Sequence, residues 1–402
     1  MTTKVIELPA LDAPRLAAET GNKLVRITGA IAALGIIGCV VAALMDVNRF
    51  AFSYLTGFLF TVTIGLGAVF FVLLQHAVKA GWSVAARRHM EWISLILPIG
   101  AVLFIPILLM APKIFAPWWH GPTGHEDPLS AKSAYLNPTF FYIRAVIFFA
   151  AWTFLSWWFA RQSAKQDESG DARLTVKMQL VAPPMLFVFA FTLTFAGFDW
   201  AMSLDPFWYS TIFGVYIFAG AVVSSIAALA LITNLFQKSR ILRRVSTVEH
   251  RHTIGQLLFA FTVFWAYIGF SQYMLIWYAN MPEETIFYRN RWTGSWVGVS
   301  LVLVFGHFAI PFIYLMSRHV KRHMLGLLAG AVWMLAMHYV DMYWLVMPNL
   351  DVGGANPTLI DLAGLVGPAG ILAFLVAWKA QKGPLYPLKD PRLIESLTSE
   401  NH

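Results

Sequence analysis

His338 and Asp341 stand three residues apart in the apolar run "LAMHYVDMYW". Three residues along a helix return to the same face. A carboxylate placed there can pair with a charged imidazole, and such a pair can pass protons to and from water or a ligand oxygen. Three more ionisable side chains sit within or at the end of apolar runs. His307 is near the middle of "SLVLVFGHFAIPFIYLM", Arg144 is about one turn into "TFFYIRAVIFF", and Asp199 directly follows Phe198. Ionisable groups inside such runs are costly and tend to mark function. Asp199 also falls at a helix C-terminus, where the dipole disfavours a carboxylate. It is therefore expected to reach water or a partner. A proton route is expected from Asp341 and His338 towards His307, with its inner half undefined.

Other polar positions have plainer readings. Asp205-Pro206 has the chemistry of a helix start, with aspartate capping free amides and proline fitting the first turn. The stretch "NMPEETIFYRNRW" brings Glu283 and Glu284 close to Arg289 and Arg291. These four are expected to pair as a surface network or to dock another subunit. His307 and His338 do not suit a haem. His307 lies some five residues deeper, roughly 8 Å along the helix axes, whereas axial ligands on opposite haem faces sit at similar depth.

The elements that position these residues follow from composition. Of 402 residues, 58% are hydrophobic and only 12% charged, about half the charged share of a soluble domain. Ten runs are long and apolar enough to cross a bilayer as helices. They fall at 27–44, 54–74, 92–110, 139–159, 178–198, 212–236, 254–278, 294–316, 325–346 and 359–378. Alternating barrel patterns are absent, so helices are the spanning form that satisfies the backbone. Pro183-Pro184 is expected to begin the fifth run. Pro311 is expected to kink the eighth.

The basic residues set the orientation. Twenty-three of the 29 Lys and Arg fall in the two tails and in the loops after runs two, four, six and eight. Cytoplasmic loops carry this excess, so both termini are expected in the cytoplasm. Residues 1–24 and 379–402 form tails around a membrane domain at 25–378. The net charge of +8 is then explained by anionic lipid headgroups and requires no nucleic acid. The opposite side holds acids including Glu126, Asp127, Asp199, Asp205, Glu283 and Glu284. A faint internal match, "YLTGF" (54–58) against "YSTIF" (209–213), hints that runs two to five repeat as runs six to nine. The one cysteine, Cys39, excludes an intrachain disulfide, an iron–sulfur cluster and c-type haem attachment on this chain. "IIGC" is too deep in the chain, and too apolar beyond it, for a lipoprotein cleavage site.

Four segments then carry a resemblance. "FDWAMSLDPFWYSTIFGVYIFAG", "FTVFWAYIGFSQYMLIWYANMPEETIFYRNR", "SAYLNPTFFYIRAVIFFAAW" and "PLYPLKDPRLIES" closely resemble the ActF subunits of alternative complex III. That complex is a bacterial quinol:cytochrome c oxidoreductase, and ActF belongs to the NrfD-like, polysulfide-reductase-type membrane subunits. The resemblance covers nearly the whole chain. It implies ten helices in the inner membrane, with two four-helix bundles (spans 2–5 and 6–9) flanked by spans 1 and 10. It implies a structural and proton-conducting subunit that binds no cofactor of its own. Haem c and iron–sulfur clusters would belong to partners: an NrfD-like sister subunit, an iron–sulfur subunit and c-type cytochrome subunits. Two alternatives stand beside it. Either the chain itself binds quinol, with His338 and Asp341 as the contacts, or it is a secondary transporter.

Overall fold

The computed structural model describes residues 15–122, 124, 127–237 and 245–399. Glu126 and the basic run at 238–244 lie outside the described residues. Among the described residues all regular structure is helical. Nine helices among the described residues are long and apolar enough to cross a membrane, and a bent pair raises the number to ten if it counts as one span.

The chain opens with α1 (Ala18–Met45) and α2 (Val47–Ala77), divided by Asp46. The Asp46 side chain accepts from the Asn48 and Arg49 amides and so caps α2. α1 leaves Leu34 and Leu44 largely exposed, whereas α2 is buried along almost its whole length. A helix that is apolar all round belongs in the interior, and α2 occupies it.

The third run is broken into α3 (Val84–Ser94), α4 (Ile96–Leu103) and α5 (Ile105–Ile114), with a bend of 58° between Val84–Leu103 and Ile105–Ile114. Pro98 and Pro106 explain the breaks. Each lacks the amide that would bond four residues back, and each ring crowds that carbonyl. The run expected at 92–110 thus has no single axis, and its helix starts eight residues earlier. A short α6 (Ala116–Trp119) follows.

Next come α7 (Pro138–Ser169) and α8 (Arg173–Trp200). Pro183 and Pro184 lie inside α8. The expectation that they begin the fifth span is therefore corrected, because the helix starts in the polar segment ahead of them. α9 (Phe213–Gln237) and α10 (Val248–Ala279) lead to α11 (Pro282–Arg291). Asp205 does not cap α9. Its carboxylate accepts from the Phe207 amide, in a turn eight residues before the helix. The repeat match also fails in register: Tyr54 is buried inside α2, while Tyr209 is exposed ahead of α9.

The eighth apolar run is built from α12 (Trp296–Val302), a π-helical turn at Leu303–Ala309 and α13 (Ile310–Met316). Pro311 removes the amide that would bond the His307 carbonyl, and the helix widens just before it. The remaining helices are α14 (Arg318–Arg322), α15 (Met324–Val346), α16 (Leu359–Lys382) and α17 (Leu393–Leu397).

α2 packs against α9, α16, α3 and α8, and α1 packs along α16. Small residues allow the closest approaches. A Cβ on Gly57 would lie 2.1 Å from the Gly364 carbonyl oxygen, and one on Gly67 would lie 2.0 Å from that of Ala221. α2 thus presses backbone to backbone on α16 and α9. Its side chains are delivered to both halves of the molecule.

Candidate functional site

The deepest polar cluster gathers on α15. His338 and Asp341 share one face and are fully buried, yet they do not bond to each other. Neighbouring helices claim them separately. Asp341 Oδ1 accepts from the Tyr216 hydroxyl of α9, and Oδ2 accepts from Trp265 Nε1 of α10 at 3.1 Å. His338 Nε2 meets Thr63 Oγ1 of α2 at 2.8 Å. The Thr63 hydroxyl also lies 2.7 Å from the Leu59 carbonyl. A hydroxyl has one proton to give. If the carbonyl takes it, His338 donates through Nε2, and Nδ1 is left as the bare acceptor. Nδ1 has no partner among the described residues. It faces Gly220, where a Cβ would stand 3.5 Å from Nδ1 and 3.6 Å from Asp341 Oδ2. The expected His338–Asp341 pair is therefore replaced by two groups on either side of a glycine.

His307 joins this cluster from the π-helical turn. Its ring lies against the Trp265 indole, with centroids 3.8 Å apart. Both its nitrogens are buried without partners among the described residues. An indole has one N–H and no acceptor, so Trp265 separates His307 from Asp341 and relays no proton itself. The three residues of the expected route are neighbours. They do not form a hydrogen-bonded chain.

Arg144 and Asp199, read separately in the sequence, are partners. Arg144 Nε donates to Asp199 Oδ2 at 2.7 Å, and Nη1 donates to the Tyr135 carbonyl at 2.8 Å. The guanidinium also lies 3.9 Å from the Tyr135 ring centroid and 4.3 Å from that of Phe140. Both members are buried. This ion pair answers the unfavourable helix end at Asp199 and ties α7 to α8.

The expected surface network on α11 does not form. Glu283 and Arg289 are exposed and Glu284 is half-buried, with no ion pair among the described residues. Arg291 is buried instead. It donates to the carbonyls of Trp344, Leu345 and Phe287, and its guanidinium carbon lies 3.5 Å from the Phe287 ring centroid. Burial is the main influence on its pKa and lowers it. Arg291 is a clamp between α11 and α15 and is closed to a docking partner. Glu283, Glu284 and Arg289 keep access.

Two further networks escaped the sequence reading. At the start of α2, Arg49 bonds Asp361 at 2.7 Å, Asp351 at 3.0 Å and Thr358 at 2.8 Å, while Ser53 also donates to Asp361. At the other end, Glu91 is fully buried between Arg88 at 3.2 Å and Arg87 at 3.5 Å. Arg88 and Arg87 extend to Asp167 and Asp390, binding the segment "PLYPLKDPRLIES" to α3 and α7. Glu91 immediately precedes the expected run at 92–110, so it reads as a loop acid. The early start of α3 brings it inside. Cys39 lies within α1, half-buried, with its thiol 3.2 Å from the Ala363 carbonyl.

Among the described residues no group of three or more His, Cys, Asp and Glu side chains converges on a metal position. No protein-family model matches this chain, and no curated protein matches it.

The arrangement can do two things chemically. The Arg144, Arg49 and Arg87/Arg88 networks neutralise buried charge and lock helices together. The Asp341–His338–His307 cluster holds a carboxyl group and two imidazoles with no salt-bridging cation among the described residues. Tyr216 and Trp265 cover Asp341 from α9 and α10. Asp341 and His338 are both fully buried, so a membrane ligand has no direct path to either.

Proposed function

We propose that this chain is a membrane-integral subunit of a quinol-oxidising respiratory complex of the alternative complex III type, structural and proton-conducting, with no redox centre of its own. In this reading it crosses the bacterial inner membrane ten times, with both termini in the cytoplasm. The bent third segment counts as one span, and spans 2–5 and 6–9 form two four-helix bundles. The helix contacts favour that division. α7 packs with α8 and α4, and α9 packs with α10 and α15, while α2 joins the two groups. Haem c and iron–sulfur clusters belong to partner subunits, and Glu283, Glu284 and Arg289 offer those partners a charged surface.

The observation that carries proton conduction is Asp341. It is completely buried and held by two neutral donors, and no ion pair among the described residues pins its charge. Two imidazoles with unpartnered nitrogens lie around it. Proton passage among these groups requires water to enter between them, since Trp265 cannot relay. A glycine at position 220 leaves the space between Asp341 and His338 free of side chain.

The transporter reading gains little. Among the described residues the sharp break in a spanning segment, at Phe104, is packed among rings, with Trp200 at 4.7 Å and Phe58 and Phe149 each at 5.3 Å. A transporter's broken helix instead exposes polar backbone to a substrate cavity.

The test is purification in mild detergent, followed by reconstitution of what comes with the chain. Co-isolated haem c and iron–sulfur proteins support the reading. In the reconstituted complex, Asp341→Asn is expected to lose proton coupling while quinol-to-acceptor electron transfer persists. A chain that purifies alone would remove the respiratory assignment, and coupling unchanged in Asp341→Asn would remove the proton role.

A further inference from the structure

The end of the molecule that buries Glu91 also holds a pocket of about 390 Å³. That is within the usual size of a small-molecule site. α3, the last turns of α7 and the end of α16 line it, together with the chain that follows α16. α3 packs against both α7 and α16, and so does α4 beyond it.

The charges in this pocket do not cancel. Arg88 is engaged by Glu91 at 3.2 Å and by Asp167. Arg15, Lys379 and Lys382 line the same space with no hydrogen bond or ion pair among the described residues. Against these three free cations stands one free carboxylate among the lining residues, that of the exposed Glu168. Lys379 and Lys382 are three apart on α16, and both ammonium groups lie against the Trp378 indole, 5.1 Å and 4.2 Å from its centroid. They act on each other as like charges, and an anion beside both would relieve that repulsion. Trp92 adds a neutral donor. It lines the pocket, is only 5% exposed, and its indole N–H has no acceptor among the described residues. A buried indole N–H ordinarily has one.

The surroundings say what carries the anion. Each wall continues as an exposed apolar residue on the same helix face. Trp157 lies three and seven residues before Ala160 and Ala164 on α7, Phe374 lies four before Trp378 on α16, and Val102 lies seven after Leu95. All three are deeper in the apolar runs than the pocket. A charged recess therefore opens onto an apolar track that leads into the hydrocarbon. A free phosphate would use only the recess, whereas a phospholipid uses both. In the orientation set by the basic loops this end faces the cytoplasm, and basic pockets between helices on that side suit anionic headgroups.

We propose that this pocket binds the headgroup of an anionic phospholipid. Its phosphate oxygens meet Lys379, Lys382 and the Trp92 N–H, and its acyl chains run along Trp157, Val102 and Phe374. The proposal rests on the membrane reading alone and is independent of proton conduction through Asp341.

The test is native mass spectrometry of the full chain released from neutral detergent micelles after titration with phosphatidylglycerol or phosphatidylcholine. One retained phosphatidylglycerol is expected, bound about tenfold or more tighter than phosphatidylcholine, equivalent to about 1.4 kcal/mol. Lys379→Gln with Lys382→Gln should remove that preference. Ala164→Trp, at an exposed position that folding tolerates, should block the site without changing charge. Lys165→Gln with Arg173→Gln removes two exposed cations outside the pocket and should leave retention unchanged. Equal retention of the two lipids would overturn the proposal. So would equal loss in the control pair, which would mean diffuse attraction to a basic surface. Displacement of the lipid by millimolar inorganic phosphate would make this a site for soluble phosphate and overturn it too. Recovery of the chain in the membrane fraction is scored separately, so the membrane reading and the lipid site can fail independently.

Discussion

Asp199 and Asp341 are both buried aspartates in the C-terminal part of a long apolar helix, the first at the end of α8 and the second towards the end of α15. One has a cation and the other does not. Arg144 reaches Asp199 from α7, supported by the Tyr135 carbonyl and two ring faces. Asp341 receives only the Tyr216 hydroxyl and the Trp265 indole N–H. An ion pair fixes charge and therefore geometry. Neutral donors hold a carboxyl in place while leaving its charge free to change. The difference separates an aspartate that builds the fold from one that is available for chemistry.

The largest effect should come from breaking the first of these. Arg144→Met strands Asp199 as an unpaired buried charge, a loss on the order of 3–5 kcal/mol. Thermal unfolding in detergent should show it as a steep fall in midpoint or a failure to accumulate. Arg144→Met combined with Asp199→Leu should recover most of the loss, because no lone charge remains. Equal instability of the single and double variants would contradict the ion-pair account.

Changes around Asp341 should cost much less stability. Tyr216→Phe removes one donor and should cost about 1–3 kcal/mol. Trp265→Phe removes the other and also opens space beside His307. Both should unfold at midpoints between wild type and Arg144→Met. Both should also impair proton coupling more than electron transfer, an effect that a merely structural contact would not produce.

The two arginines of α11 extend the contrast on a smaller scale. Arg291→Gln weakens a buried, charge-assisted clamp that Gln partly replaces, and should destabilise by about 1.5–3 kcal/mol. Arg289→Gln, on the exposed side, should change stability by less than about 0.5 kcal/mol. The smallest stability effect is expected from Glu283→Gln with Glu284→Gln. That pair should instead lower retention of partner subunits during purification at moderate salt.

Much of this was legible in the sequence. Arg144, Asp199, His307, His338 and Asp341 stand out because ionisable groups are expensive in apolar runs, and the structure buries all five. The spanning helices were legible for the same reason. The partners were not. Tyr216, Trp265 and Thr63 look like ordinary residues of spanning helices, and they reach the α15 cluster across 125, 76 and 275 positions of chain. Nothing local signals such pairings. The His338–Asp341 expectation failed because a shared helix face does not say which neighbouring helix will claim each side chain. Proline chemistry was half legible. Pro311 was expected to disturb its helix, and the disturbance is a π-helical turn that carries His307. Pro98 and Pro106 break the third run through their missing amides, a signal that lies within an otherwise continuous apolar stretch. Glu91 and Arg49 lie just outside the apolar runs because hydrophobicity fades before a helix ends, while hydrogen bonding continues.

The central claim is that Asp341 is a working carboxyl group and Asp199 a structural one. The most direct measurement is proton translocation per electron in reconstituted complex carrying Asp341→Asn, with the thermal midpoint recorded on the same preparation. The account predicts a near-wild-type midpoint, persisting quinol oxidation and lost proton translocation. Full translocation in that variant would contradict it.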